Sequence, residues 1–95
     1  MKITNMPDGS YSLEAQGRTV ILTLIGVVDM EIALRLMLDI KILVTEKKYD
    51  HWASLVDLSK WGLHPPEIVE FIQEFHTWAD RNGQLAEAAV VNKSV

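Results

Sequence analysis

Residues 19–25 form the run Thr19-Val20-Ile21-Leu22-Thr23-Leu24-Ile25, which is almost continuously apolar and rich in β-branched side chains. Such a run is typical of a strand that is covered on both faces, because a solvated face would show alternating polar residues. Gly26 interrupts the run. We therefore expect a central strand here, with the remaining elements arranged around it.

The segments on either side of this strand carry further strand signals. Tyr11-Ser12-Leu13-Glu14-Ala15 alternates apolar and polar residues, and Gly17 can adopt the positive φ of a tight turn. This pattern predicts an antiparallel hairpin, preceded by a lead-in over residues 1–9. Two more strands are predicted at Trp52–Leu58 and Leu85–Val91.

Two helices are predicted between these strands. Asp29 is a suitable N-cap for a helix over residues 30–48, and Pro65-Pro66 opens a second helix that ends at Gly83. The predicted order is therefore β-β-α-β-α-β, an α/β fold with a mixed four-stranded sheet. The first two strands form the antiparallel hairpin. The strands joined through helices are predicted to be parallel, because a connection through a helix returns the chain to the same end of the sheet in a right-handed crossover.

The bulk composition is that of one globular domain covering residues 1–95, with 48% hydrophobic and 23% charged residues. No apolar stretch reaches the roughly 18 residues of a membrane span. The net charge of −4 and the scattered basic residues argue against a nucleic-acid partner. The absence of cysteine excludes disulfides and fits a reducing compartment, so we expect a soluble cytoplasmic protein.

The segment Leu55-Val56-Asp57-Leu58-Ser59, followed by a loop and a helix, resembles the STAS domain. This is the family of anti-anti-sigma factors, with its SpoIIAA-like and Sec14-like relatives, and the order of elements from Tyr11 to Val95 matches it. The resemblance implies a non-enzymatic regulatory binding module without a cofactor.

Two features depart from the family pattern. Where the family has a phosphorylatable Ser or Thr at the start of the second helix, this chain has His64-Pro65-Pro66-Glu67, which contains no hydroxyl. Switching by phosphorylation at that position is therefore not expected. The sequence also ends just after the last predicted strand, where the family continues into another helix. Either the chain is trimmed or something else covers one face of the sheet.

Catalytic and metal-binding patterns are weak. His51, His64 and His76 lack the spacing of metal ligands, and no serine lies in a nucleophile elbow. Asp57 and His64 could orient Ser59, but an aspartate at such a position more often caps a loop amide. We therefore expect no enzyme and no metal site.

The loop over residues 59–63 leaves two interpretations open. Trp61 follows the carboxyl end of a parallel strand, where α/β sheets bind ligands. It could fold back as a lid on the core, or it could belong to a partner or ligand site. That candidate site combines the strand end with the loop: Asp57, Ser59, Trp61, Leu63 and His64.

The helix over residues 30–48 is apolar almost all round. In addition to the stripe expected to face the core, it carries apolar residues on both flanks of that stripe, namely Ile32, Leu34, Leu36, Leu38 and Leu43. A domain of this size has few surfaces left to cover them, and an exposed apolar strip marks an interface. Our leading hypothesis is self-association or docking of a protein partner through this helix. The alternatives are coverage by the lead-in and the second helix, or a small apolar ligand such as a lipid held between helices and sheet.

Overall fold

The computed structural model describes residues 2–6, 9–62 and 67–91. These residues form a single mixed sheet and two helices. The elements along the chain are β1 (Lys2–Met6), β2 (Gly9–Gln16), β3 (Thr19–Gly26), α1 (Met30–Lys47), β4 (Trp52–Trp61), α2 (Glu67–Arg81) and β5 (Gln84–Val90). Neighbouring strands in the sheet follow one another in sequence, in the order β1-β2-β3-β4-β5.

The pairing of the strands confirms the predicted α/β class, the hairpin and the parallel strands. β2 and β3 are antiparallel, whereas β3, β4 and β5 are parallel. The sheet has five strands and not four, because residues 2–6 pair with β2 from Lys2 opposite Leu13 to Met6 opposite Gly9. The prediction of a lead-in was wrong for this segment. Its short, mixed sequence carries little strand signal, and its backbone partners exist only in the assembled sheet.

β4 is also longer than predicted. Ser59–Trp61, expected in a loop, continues the strand past an irregularity at which the register against β3 shifts between Thr23 and Ile25. The backbone N–H of Gly62 then donates to the carbonyl of Gly26 at 2.7 Å. Such an irregularity lets a strand continue with re-aimed side chains, which alternation in the sequence does not reveal.

The start of α1 is formed as predicted. The Asp29 carboxylate accepts a hydrogen bond from the backbone N–H of Ile32 at 2.9 Å, which satisfies one of the free amides of the first turn. At the other end, Lys48 adopts a left-handed conformation with φ of 54° and caps the helix.

Both helices lie on one face of the sheet. Side chains alternate between the two faces of a strand, and one of the two sets is buried under the helices: Tyr11, Leu13, Val20, Leu22, Leu24 and Trp52. The Tyr11 hydroxyl also donates to the Asp39 carboxylate of α1 at 2.5 Å. The opposite face holds Ile21 and Leu55, which are only half-buried. The expectation that residues 19–25 are covered on both faces is therefore wrong for this face within the described residues, because both helices lie on the other side of the sheet.

The turn between α2 and β5 fixes the start of β4. Trp52 donates its backbone N–H to the carbonyl of Gly83 at 3.0 Å and its indole N–H to the carbonyl of Asn82 at 2.9 Å. Gly83 has φ of 95°, and a Cβ on it would lie 2.1 Å from the carbonyl oxygen of Asp50. This position therefore requires glycine for both its conformation and its contact.

We expect Gly83→Ala to destabilise the fold more than Gly17→Ala. Both glycines have positive φ, but a Cβ on Gly17 meets nothing within 4 Å. Gly17→Ala should cost about 1–2 kcal/mol from backbone strain alone, and Gly83→Ala about 1–3 kcal/mol more because the backbone at Asp50 must move. Urea unfolding of the two variants measures the difference. Equal free energies of unfolding would contradict the close approach at Asp50.

Candidate functional site

The space between the sheet and the two helices is not completely filled. A cavity of about 270 Å³ lies there, lined by side chains of β3, β4, α1, α2 and β5. The exposed residues among its lining, Ile72, His76 and Glu87, belong to α2 and β5, so the cavity opens between these two elements. Protein interiors normally contain few voids larger than a water molecule. A space of this size is therefore the leading candidate for a binding site.

The burial of α2 varies along its length. Ile68 near the start of the helix and Ala79 near its end are fully buried, whereas Phe71 and Phe75 between them are only partly buried although both line the cavity. The helix is thus most deeply buried near its two ends, and the partly buried rings between them pack against the core and line the cavity. The α1 side contributes Ala33, Leu36, Met37 and Ile40 to the lining.

The polar lining is confined to one wall. Among the described residues that line the cavity, only Ser54, His76 and Glu87 are polar. Ser54 lies opposite Glu87 in the parallel pairing of β4 and β5. Nε2 of His76 lies 3.1 Å from Oε2 of Glu87, and Nε2 of Gln84 donates to Oγ of Ser54 at 2.7 Å. We call the three lining residues Ser54, His76 and Glu87, together with Gln84 that supports Ser54, the polar wall.

The polar wall was not among the predicted site residues. Its members come from two strands and a helix, and they meet only because β4 and β5 are neighbours under α2. The one available signal was the position of His76 at the border of the apolar face of its helix.

Trp52 and Trp61 both line the cavity and contact the hydrophobic core. Trp52 is buried and Trp61 is partly buried. Trp61 packs against the core, as the first interpretation of its role expected, and it also lines the cavity; its role in a partner or ligand site stays a prediction. Trp78 lies at the edge of α2, stacked on Phe75 with ring centroids 5.9 Å apart and covered by the ammonium group of Lys41 at 5.5 Å.

The predicted contact site at the end of β4 is only partly assembled. Asp57 accepts hydrogen bonds from the Ser59 hydroxyl at 2.7 Å and from its backbone N–H at 3.0 Å. Neither residue lines the cavity, because the alternation along β4 directs Asp57 away from Ser54 and Val56, which do. This arrangement matches the expected capping role of Asp57. Leu63 and His64 lie outside the described residues.

The expected interface on α1 needs correction at two of its positions. Ile32 and Leu36 are buried against the sheet, so they belong to the core and cannot contact a partner. Leu43 is partly buried and packs against the same core. Leu34 and Leu38 are exposed, at 56% and 58% of their surface. The helical pattern showed apolar residues nearly all round, but the tilt of the helix on the sheet decides which of them are covered.

Two expectations from the sequence concern metal ligands and membrane spans. Within residues 2–6, 9–62 and 67–91, no three His, Asp or Glu side chains lie close enough together to hold a metal ion. In the same part of the chain no helix has the length and apolarity needed to cross a bilayer.

We expect Ser59→Ala to raise the pKa of Asp57. The hydrogen bond from the Ser59 hydroxyl, then that from its backbone N–H, and to a smaller extent the charge of Lys60 hold this pKa below its ordinary value. A lowered pKa stabilises the fold at neutral pH, and that contribution is lost as the pH falls through the folded-state pKa. Ser59→Ala should therefore flatten the loss of stability in acid. Carboxyl carbon NMR titration measures the pKa, with Ser59→Thr as the control that keeps the hydroxyl. An unchanged pKa in Ser59→Ala would contradict this assignment.

Comparisons with known proteins identify the fold but no family. No protein-family model and no curated protein matches the sequence. Among solved structures the chain is similar to the crystal structure of Mglu, with a TM-score of 0.64 and 18% sequence identity. The match covers 87% of this chain and 19% of the Mglu chain, so this chain spans about a fifth of the length of that one. At this identity the similarity establishes a shared fold alone.

Proposed function

We propose that this chain is a non-enzymatic, STAS-like binding module that holds a small apolar ligand between its helices and its sheet. The observation that carries the proposal is the cavity of about 270 Å³, whose described lining is apolar outside the polar wall. An apolar cavity of about 150 Å³ in another protein stays dry and binds benzene, so by simple scaling this cavity has room for roughly ten non-hydrogen atoms.

The arrangement of the polar wall supports a binding role over catalysis. A serine nucleophile is activated by a hydrogen bond to a base, usually a histidine. Here Oγ of Ser54 is bonded to Gln84, and the histidine of the wall, His76, contacts Glu87. The proposal requires no cofactor.

The topology supports the STAS-like part of the proposal. The hairpin β2-β3 is followed by two crossover helices and two further parallel strands, the order on which the resemblance to this family rests. One face of the sheet lacks a covering layer within the described residues.

Filling the cavity should abolish ligand binding. Val56 lines the cavity, so Val56→Phe places additional atoms in the space that a ligand would occupy. We expect wild-type protein to bind nonanol with a change in tryptophan fluorescence, since Trp52 and Trp61 line the same cavity. Val56→Phe should not respond, while its stability should change by no more than about 1.5 kcal/mol because the ring enters empty space.

The matched control is Val69→Phe, which makes the same exchange at an exposed position on α2 outside the cavity lining. Val69→Phe should bind nonanol as the wild type does. Native mass spectrometry and thermal shift provide independent readouts. A wild-type protein that shows no co-purified mass and no response to nonane, nonanol or nonanoate would contradict the proposed function.

A second candidate function, self-association or docking of a protein partner through α1, is favoured by a separate observation. Leu34, Leu38 and Ile42 are exposed and follow one another at four-residue spacing, which aligns them along the outer surface of the helix. We call these three residues the outer strip. Their large apolar side chains are rimmed by the charged residues Glu31, Arg35 and Lys41, a pattern found at interaction surfaces.

Leu38→Glu should disrupt association if the outer strip is an interface. A carboxylate placed in an apolar contact must be desolvated without a partner, which costs several kcal/mol and should convert an oligomer into a monomer. Size-exclusion chromatography with light scattering measures the molar mass. Leu85→Glu is the matched control, because Leu85 is exposed on β5, on another surface. A wild-type monomer at all concentrations would rule out self-association.

A further inference from the structure

We propose that the cavity selects an apolar ligand with an uncharged hydroxyl head group, bound between Ser54 and Glu87, and discriminates against a fatty-acid carboxylate. This inference rests on the proposed ligand-binding function and specifies its ligand class. Two observations support it. One is the position of the polar wall at the cavity opening, and the other is the hydrogen-bond donor of Ser54 and the acceptor of Glu87 that face the cavity.

The position of the polar wall orients a ligand. Ser54, His76 and Glu87 lie together on the β4, β5 and α2 side, and the other described lining residues are apolar. The cavity opens on this same side, since His76 and Glu87 retain 49% and 32% of their side-chain exposure. An amphiphilic ligand would therefore place its chain inward, under α2, and its polar end at the wall.

Ser54 offers a hydrogen-bond donor to that polar end. Ser54 is buried, with 9% of the residue exposed, and its hydroxyl oxygen accepts a hydrogen bond from Gln84 at 2.7 Å. A hydroxyl has one proton to donate, and none of the described residues accepts it. A buried donor without an acceptor is unfavourable, so a ligand oxygen at this point would gain a hydrogen bond that the protein alone does not make.

Glu87 offers the complementary acceptor. It is the neighbour of Ser54 across the parallel ladder, where strands lie about 4.8 Å apart. One of its oxygens contacts His76 at 3.1 Å, which leaves Oε1 available. A carboxylate only accepts hydrogen bonds. A ligand hydroxyl can accept from Ser54 and donate to Glu87 at the same time, which neither an ether nor a carboxylate can do.

The charge of Glu87 also argues against an anionic head group. A fatty-acid carboxylate in this position would bring a second negative charge beside Glu87, and like charges in proximity disfavour the ionised form of both. Nε2 of His76 already contacts Glu87 at 3.1 Å, so this nitrogen is not available to an anionic head group. The net charge of the chain, −4, has the same sign.

Titrations of the whole chain with nonane, nonanol and nonanoate, followed by tryptophan fluorescence, test the selectivity. The pH is kept where nonanoic acid is ionised. We expect nonanol to bind more tightly than nonanoate by at least about tenfold, the ratio that a hydrogen bond to a charged group supplies. Ser54→Ala should weaken nonanol binding by about fivefold to tenfold and leave nonane binding unchanged.

Glu87→Gln should strengthen nonanoate binding by about tenfold without altering nonane binding, because it removes the charge and keeps the shape. Glu70→Gln is the matched control, since it makes the same change of charge at an exposed position on α2 outside the cavity. Equal affinities of wild-type protein for nonanol and nonanoate, or an unaltered nonanoate affinity in Glu87→Gln, would overturn this inference and leave the proposed function intact. If none of the three probes binds, the proposed function itself fails.

Discussion

Two crossovers, β3–α1–β4 and β4–α2–β5, carry both helices to the same face of the sheet. Parallel neighbours joined through a helix are connected in the right-handed sense, so successive crossovers in one direction cannot place their helices on opposite faces. The core of the domain therefore lies in a single layer between sheet and helices. This one-sided arrangement accounts for the position of the cavity between sheet and helices and for the apolar surfaces that the described residues leave uncovered.

The cavity depends on how α2 is attached to that layer. Ile68 and Ala79 anchor the helix, and the turn at Asn82 and Gly83 is tied to Trp52 by two hydrogen bonds. Phe71 and Phe75 in the middle of α2 are partly buried against the core and line the cavity. A ligand that fills this space would contact these rings, and its binding would stabilise the fold through linkage.

Two exposed apolar surfaces lie away from the cavity. Parallel sheets are normally covered on both faces, yet Ile21 and Leu55 on the face away from the helices are only half-buried. The outer strip of α1 is a second exposed apolar surface. The same fold also occurs within the longer chain of Mglu, where the matched region makes up 19% of the length. The cavity and the outer strip are separate parts of the molecule, so the two proposed functions can be tested independently.

The sequence by itself determined the features that depend on local pattern. The apolar run of residues 19–25 predicted a central strand, and Asp29 and the glycine at position 83 predicted helix ends, because these signals act on neighbouring residues. The run did not show that only one face of this strand is covered within the described residues. The tertiary structure alone decided which side chains of α1 are covered and that residues 2–6 join the sheet. It also decided that Ser54, His76 and Glu87 meet at one wall of a cavity. These features depend on contacts between residues far apart in the chain, and such contacts arise only when the helices settle on the assembled sheet.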